Sequence, residues 1–442
     1  MAPPGKLLSL QHRIRRAHPM RLVMRSSLDR MAHASPEEIT RCQERRLRAL
    51  VRLAATRSPF YRNWFAESGV EPRTIRTLED LPRLPLLERH HLAERSADFL
   101  AYPRNLVWPA HSSGTTGSVV TAYRTPGSSI YELASLERQW GWFGLPRGAR
   151  RAVLRGSDFA ASRPGVVTME LPAARQLLVS SFHLTPENLP EILAALRRFR
   201  PDAIEAWPSS VTLLAALLRD AGHRFPVRAL ITSSEVISAA QHELLRDVFA
   251  APVADHYGQT ERVSMAGTCE EGSYHVFSDY GIVELLPVDG STRRWEIVGT
   301  PLHNWGFPLF RYRTGDEVAA APQGPCGCGR AFPLLGAVDG RVEDAFTAAD
   351  GRHVPLPHTL VKTLTGLRET QVVQRAPGCF EVRMVPGAGF DRATTEALAR
   401  RNIERIVGQG QTVTFQLMDR IPRSASGKLR PAIVLDDLVG QR

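Results

Sequence analysis

The chain has 442 residues, 43% hydrophobic and 23% charged, the balance of a soluble globular protein too long for one compact core. A net charge of +11 suits an anionic substrate or surface, and five cysteines are too few for a disulfide framework, so a reducing cytoplasm is the expected compartment. No run approaches the roughly 18 consecutive apolar residues of a membrane span, and the opening residues lack the pattern of a secretory leader. Residues 1–34 are rich in arginine, poor in acid and without a repeat.

Ser35-Pro36-Glu37-Glu38 then reads as a helix start, with a capping hydroxyl, proline at the first helical position and glutamate at the third. Leu47, Leu50, Val51 and Leu53 continue it at helical spacing to Ser58-Pro59. Further helices are predicted from Thr185-Pro186-Glu187 to Arg200 and from Pro208 to about Gly222. Between them, Ala152–Leu154, Ala203–Trp207, Ala229–Thr232 and Val253–Tyr257 read as short buried strands, and this alternation predicts a layered α/β body. From about Tyr280 the pattern changes to antiparallel strands around Ile282–Leu286 and Trp295–Val298. The last hundred or so residues predict strands at Gln371–Gln374, Phe380–Val385 and Thr412–Leu417 around one helix near Arg392–Val407, a small α+β unit. The expected division is a large domain over 1–341 and a small, mobile one over 342–442.

Five motifs carry chemistry. His111-Ser112-Ser113-Gly114-Thr115-Thr116-Gly117-Ser118 is a flexible loop of hydroxyls and glycines able to wrap phosphate oxygens, or else an exposed linker; it lacks the Gly-Lys-Ser/Thr ending of a Walker A loop. Asp255-His256-Tyr257-Gly258-Gln259-Thr260-Glu261 follows an apolar strand and offers a ring, a hydroxyl and a carboxylate, for a base and Mg²⁺ or for a plain strand-to-loop turn. Tyr312-Arg313-Thr314-Gly315-Asp316 places a carboxylate after a glycine turn, suited to ribose hydroxyls or to the turn alone. Gly340-Arg341-Val342-Glu343-Asp344 suits a hinge or a simple linker. Pro422-Arg423-Ser424-Ala425-Ser426-Gly427-Lys428 would let one ammonium project from a bent backbone, or is a basic surface loop. Lysine stands only at Lys6, Lys362 and Lys428, so Lys428 is a candidate for work that a planar guanidinium cannot do.

Together, in this order, the five motifs resemble the adenylate-forming superfamily of acyl-CoA ligases, luciferases and peptide-synthetase adenylation domains. The resemblance runs from before Tyr61 nearly to the last residue, and is strongest to the short phenylacetate–CoA ligase-like branch with its capsule-biosynthesis (CapK-like) members. It implies an ATP-dependent, AMP-forming ligase. A small acid, expected to be aryl or otherwise hydrophobic, would be joined to AMP with release of pyrophosphate and passed to a thiol (CoA) or an amine. Ser112, Ser113, Gly114, Thr115, Thr116 and Gly117 would hold the β- and γ-phosphates. Ser234, Glu235, Tyr257 and Gly258 would line the nucleotide site, with Tyr257 stacked on adenine. Thr260 would touch the α-phosphate, Glu261 would bind Mg²⁺, and Asp316 would hold the ribose with Arg341 nearby. Lys428 would bridge the acid oxygen and the α-phosphate, and Glu343, with Asp344 as second choice, would be the hinge.

The resemblance leaves alternatives open. Gly427-Lys428-Leu429-Arg430-Pro431 looks more like the capsule-type relatives than the CoA ligases, and no CoA-binding surface is legible. A relative that adenylates nitrite for N–N bond formation with an amine is one rival. A catalytically inactive, basic zinc protein that binds nucleic acid is another; the main reading expects neither a nucleic-acid nor a membrane partner, and admits a homodimer. Cys269, His275, Cys326 and Cys328 would suit a closed tetrahedral Zn²⁺ site, or else leave thiols buried beside a turn; similar cysteine clusters in this branch hold zinc, in a structural role. Cys42, Cys379, Trp140, Trp142, Phe143, Trp207 and Pro208 read as core residues before pocket residues, and His111 and His256 as neutral structural histidines.

Overall fold

The structure, a computed structural model, describes residues 20–111, 120–155, 165–288, 294–322, 324–341, 346–349, 353–354, 364, 366–423, 429 and 432–434. In chain order, helices α1 (Met20–Met31), α2 (Pro36–Arg57), α3 (Pro59–Ser68) and α4 (Arg89–Arg95) lead to strands β1 (Trp108–His111) and β2 (Thr121–Arg124) and helix α5 (Pro126–Trp142). Next come β3 (Arg151–Leu154), β4 (Thr168–Leu171), β5 (Gln176–Val179), α6 (Leu189–Phe199), β6 (Ala203–Ala206), α7 (Pro208–Asp220), β7 (Ala229–Ser233), α8 (Ala239–Phe249) and β8 (Val253–Gly258). Strands β9 (Met265–Thr268), β10 (Tyr274–Val276), β11 (Gly281–Pro287), β12 (Arg294–Pro301), β13 (Tyr312–Ala319), β14 (Leu334–Leu335) and β15 (Val338–Arg341) follow. The C-terminal part holds β16 (Phe346–Thr347), β17 (His353–Val354), β18 (Leu367–Ala376), β19 (Cys379–Pro386), α9 (Arg392–Val407), β20 (Thr412–Leu417) and β21 (Ala432–Val434).

These elements form two compact units, 1–147 with 256–338, and 148–255 with 339–442. In the first, α2 starts as its sequence predicts: the Glu38 amide donates to Ser35 Oγ (3.3 Å) and the Ser35 amide to Glu38 Oε2 (2.9 Å), so two otherwise orphaned donors are satisfied. Its apolar stripe, Leu47, Leu50, Val51 and Ala54, is fully buried with Tyr61, Phe99 and Phe310. Strands β11, β12 and β13 make an antiparallel meander. Where β11 and β12 run past Val263 there is no room for a side chain: a Cβ on Gly281 would lie 2.6 Å from the Val263 carbonyl oxygen, and one on Gly299 2.7 Å from its side chain. Arg138 on α5, wholly buried, is paired with Asp279 through both terminal nitrogens (2.6 and 3.1 Å) and donates to Leu28 O (3.0 Å). That second bond fastens α1 to α5, so the basic N-terminal stretch contains an ordered helix from Met20 onward.

In the second unit β3 pairs in parallel with both β5 and β6, β6 pairs in parallel with β7, and β4 lies antiparallel beside β5. Strands β3, β6 and β7 are almost wholly buried, as expected when helices cover both faces. Helix α6 begins at Leu189 rather than at Thr185, because Thr185–Asn188 form a turn in which the Leu189 amide donates to Thr185 O (3.1 Å). The C-terminal sheet, ordered β20-β19-β18-β21, packs Val372, Phe380, Val382 and Met384 against Ile403 and Val407 of α9, the small α+β body its sequence predicts. The α/β class is therefore as expected. Among the described residues no helix is long and apolar enough to cross a membrane.

Candidate active site

In the first unit β8 runs antiparallel to β9 and ends at Gly258, where the chain turns through Gln259–Ser264. The hydroxyl of Tyr257 donates to Asp316 Oδ2 at 2.7 Å. Gln259 Nε2 donates to the same hydroxyl (2.5 Å) and to Ser264 Oγ (2.7 Å). Two stretches 59 residues apart in sequence thus meet at one phenol. Burial, then the charge of Asp316, pushes the Tyr257 hydroxyl well above its ordinary range, so it stays protonated and a donor. Asp316 follows Gly315, whose φ of +70° permits the turn, and the Asp316 amide donates to Thr314 Oγ1 (3.0 Å).

Glu261 is buried on the same turn, where Tyr312 donates its hydroxyl to Oε1 (3.2 Å). The Thr260 carbonyl accepts from Arg124 Nη2 at 2.9 Å. Arg262, with φ +58°, turns into the interior, pairs with Glu132 and donates to Ser129 Oγ (3.3 Å). A non-glycine residue held in the left-handed region costs roughly 1–3 kcal/mol and persists where surrounding contacts fix it; here the Glu132 pair is such a contact. Gln259 and Tyr312, both within the sequence motifs, brace this turn together with Arg124 and Glu132, which were missed in the sequence. Their partners lie up to 136 residues away, and no local pattern marks them.

In the second unit, Ser234 follows the carboxyl end of β7 with φ +70°. Glu235 accepts from the Ser209 amide (2.7 Å) and from Ser209 Oγ (3.1 Å). Trp207, at the N-cap of α7, offers no side-chain cap, so Glu235 supplies the missing acceptor there. The loop residues Ser112, Ser113, Gly114, Thr115, Thr116 and Gly117, the hinge candidates Glu343 and Asp344, and Lys428 lie outside the described residues, as does the side chain of Arg341. His111, at the end of β1, contacts Thr121 Oγ1 through Nδ1 (3.1 Å).

Cys269, His275, Cys326 and Cys328 converge in the first unit, with their ligand atoms within 4.8 Å of one another. Cys269 and Cys326 sulfurs are 3.7 Å apart, and Cys328 Sγ is 3.3 Å from His275 Nε2. Tetrahedral Zn²⁺, with Zn–S near 2.3 Å, sets ligand separations of roughly 3.3–3.8 Å. His275 Nδ1 lies 3.0 Å from Phe332 O, a contact that selects the tautomer with Nδ1 protonated and Nε2 aimed at the sulfurs. Burial pushes the Cys269 thiol up to about 12. Burial would also raise Cys326, but hydrogen bonds, the largest of them from the Cys328 amide, outweigh it and hold that thiol near 6. A buried thiol, a readily ionised one and an oriented imidazole fit a metal that binds thiolates. Arg330 stacks over Trp142 at 4.2 Å and pairs with Glu270 (2.7 Å), so Trp142 packs beside the cluster rather than lining an acid pocket. Cys42 is buried and Cys379 half-buried, both as free thiols.

Residues 352–434 match the CapK C-terminal domain family. Over its length the chain is 25% identical to a phenylacetate–coenzyme A ligase of Thermus thermophilus, with 90% of this chain and 97% of that protein covered. It is 20% identical to Protein CapK of Staphylococcus aureus, with 85% of each covered. Along most of its length the chain is thus similar to phenylacetate–CoA ligases and to CapK. A crystal structure of 2-hydroxyisobutyryl-CoA ligase in the postadenylation state, in complex with R3-HIB-AMP, shares the fold, with a TM-score of 0.71, 18% identity and 93% of both chains covered.

Proposed function

We propose that this protein is an AMP-forming ligase that activates a small carboxylic acid with ATP and transfers the acyl group to CoA. A carboxylate is a poor acyl donor because its leaving group would be oxide. Its attack on the α-phosphorus expels pyrophosphate and leaves an acyl-AMP anhydride, which a thiolate then cleaves with release of AMP. The work asked of the protein is positioning and charge stabilisation. The observation that carries this reading is the Tyr257–Asp316 hydrogen bond (2.7 Å), which joins the base-binding and ribose-binding motifs of the resemblance at one point, with Thr260 and Glu261 on the adjoining turn.

Tyr257 would present its ring to adenine, Asp316 would accept from the ribose hydroxyls, and Thr260 would approach the α-phosphate. Ser234 and Glu235 would complete the nucleotide site, Ser112–Gly117 would wrap the outer phosphates, and Lys428 would meet the charge that builds at phosphorus. The buried carboxylate of Glu261, an oxygen donor of the kind Mg²⁺ prefers, would hold that ion, which neutralises phosphate charge when bound. The four-residue sulfur and imidazole cluster would hold Zn²⁺ structurally. The domain cut at 341, with a small unit that moves during the reaction, belongs to the same proposal. The relatives named coenzyme A ligases support CoA over an amine as acceptor. The test is ATP–pyrophosphate exchange over aryl, alkyl and amino acids and nitrite, followed by thioester analysis with CoA. Exchange that requires a carboxylic acid is expected; exchange with nitrite alone, or with nothing in folded, Mg²⁺-supplied protein, overturns the reading.

A further inference from the structure

The second unit contains a topological switch. From β3 the chain moves to β5 on one side, then returns to place β6 and β7 on the other, so β3 and β6 are neighbours whose connections leave in opposite directions. In an open parallel sheet the crevice outside the carboxyl ends of two such strands is where ligands bind. Arg155 is the first residue after β3 and Trp207 the first after β6. The Arg155 guanidinium lies over the Trp207 ring at 4.7 Å and donates from Nη2 to Ser233 Oγ, at the end of β7, at 2.9 Å. It therefore spans the carboxyl ends of β3, β6 and β7.

Its charge is incompletely neutralised. Arg155 Nε stands 3.6 Å from Glu205 Oε1, at ion-pair rather than hydrogen-bond distance, and is buried without a hydrogen-bond acceptor among the described residues. Glu205 is shared, since its other oxygen is bonded to Arg151. Two guanidinium groups thus face one carboxylate. At the carboxyl end of β5, on the other side of β3, Ser181 is buried and its hydroxyl has no partner among the described residues. A guanidinium stacked on an indole keeps its in-plane donors for an anion, which it grips in a fork.

We propose that Arg155 binds a second anionic group carried by the acid substrate, with Ser181 as an additional donor, so that the enzyme selects acids bearing a carboxylate or similar oxyanion at the end remote from the one activated. This rests on the proposed ligase reading and narrows its substrate from a hydrophobic acid to a doubly anionic one. Cofactor phosphate offers the same chemistry, and the test separates the two sources. Acid-dependent ATP–pyrophosphate exchange, with no acceptor present, is measured for matched pairs: adipate against hexanoate, and 4-carboxyphenylacetate against phenylacetate.

The expected result is that the dianionic member of at least one pair is preferred by ~10–100-fold in kcat/KM, the range of one charge-assisted hydrogen-bonded contact. R155L should bring that ratio close to one, R155K should keep part of it, and S181A should lower it by roughly threefold. Circular dichroism and the melting temperature establish that each variant is folded. Equal rates for both members of every pair in the wild type overturn the proposal. So does an R155L effect that is the same for all acids and resides in the KM for ATP, which would make Arg155 a brace for the Ser234 turn, or one seen only in the KM for CoA. Absence of exchange with any acid in the wild type would instead count against the ligase reading itself.

Discussion

Tyr257 donates its hydroxyl to Asp316 Oδ2 at 2.7 Å, while its own oxygen accepts from Gln259. One phenol thus holds the end of β8 to the turn in β13. If Asp316 accepts from the ribose, Tyr257 fixes the orientation of that carboxylate as well as presenting a ring. Y257F keeps the ring and loses the bond, and should raise the KM for ATP by about 5–10-fold, the upper part of the range for one ordinary hydrogen bond, since Tyr257 acts on the ribose only through Asp316. D316A, which removes the acceptor itself, should lower kcat/KM for ATP by roughly 100-fold or more. Steady-state pyrophosphate release checks both. An unaltered KM in Y257F would assign this bond to stability alone.

The sulfur cluster makes a second prediction. Purified protein should contain about one Zn²⁺ per chain, measured by emission spectroscopy and by thiol-displaced release into a colorimetric chelator. C269S and C328S should each lose the ion and lower the melting temperature by roughly 5 °C or more, because a structural metal binds the folded state alone. Pyrophosphate exchange should survive at low temperature in the same variants. The four proposed ligands converge on one cluster, and an ion held there structurally should not enter the reaction.

Much of this was legible before the fold was known. The capping box at Ser35 and Glu38, the helix over Arg392–Val407 and the strand Thr412–Leu417 all depend on local pattern, and their ends follow the sequence closely. The convergence of Cys269 and His275 with Cys326 and Cys328 was expected from the donor set and from the resemblance to a branch whose cysteine clusters hold zinc, while the tight Cys-Gly-Cys spacing alone left buried thiols as an alternative. What could not be read is contact across distance. Nothing near Arg138 announces that it will be wholly buried against Asp279, 141 residues on, and an arginine beside a glutamate in Leu136-Glu137-Arg138 reads as solvated. Helix α5 itself, from Pro126 to Trp142, carries Ser128, Ser129, Ser135, Arg138 and Gln139 in its buried face, which blurs the apolar stripe on which helix prediction relies. Arg155 was equally hidden, since its significance lies in which strands neighbour β3.

His303 is expected to contribute to loss of stability in acid. Its ring is buried, stacked on Tyr131 at 5.3 Å and tilted against Tyr280 at 4.0 Å. Burial, then the nearby charge of Arg262, lowers its pKa to about 3, against an ordinary value near 6.5 in the unfolded chain. Below pH 6.5 the unfolded state takes up a proton that the folded state refuses, so stability is greatest above that value and falls as the pH approaches 3. Between pH 6.5 and 5 the loss from this one group is about 2 kcal/mol. Denaturant unfolding at several pH values should show that slope, and H303F, which keeps an aromatic ring there, should flatten it. An identical slope in H303F would place the acid response elsewhere.

The last prediction concerns how the chain presents Lys428. The segment that carries it is fixed at both sides to one strand. Before it, Arg423 is buried against Glu369 of β18, whose other oxygen accepts from the Ile421 amide at 3.1 Å. After it, β21 pairs in parallel with β18, Ala432 opposite Val372 and Val434 opposite Gln374. Removing the ammonium in K428A should slow pyrophosphate exchange by ~10²–10³-fold, as for loss of one preorganised charge-stabilising donor, with no change in melting temperature. E369Q should act in a different way. It keeps the shape of the clamp but takes from buried Arg423 its bonded carboxylate, leaving Glu235 as the nearby acid, a loss of up to roughly 3–5 kcal/mol when one partner of a buried pair is removed. Exchange should fall by about 10-fold through kcat, with the KM for ATP nearly unchanged, since a misplaced ammonium weakens stabilisation of the transition state more than nucleotide binding. E369D, which restores the charge, should recover part of that rate. A fall in melting temperature with full exchange activity in the folded fraction would reduce the clamp to a purely structural role.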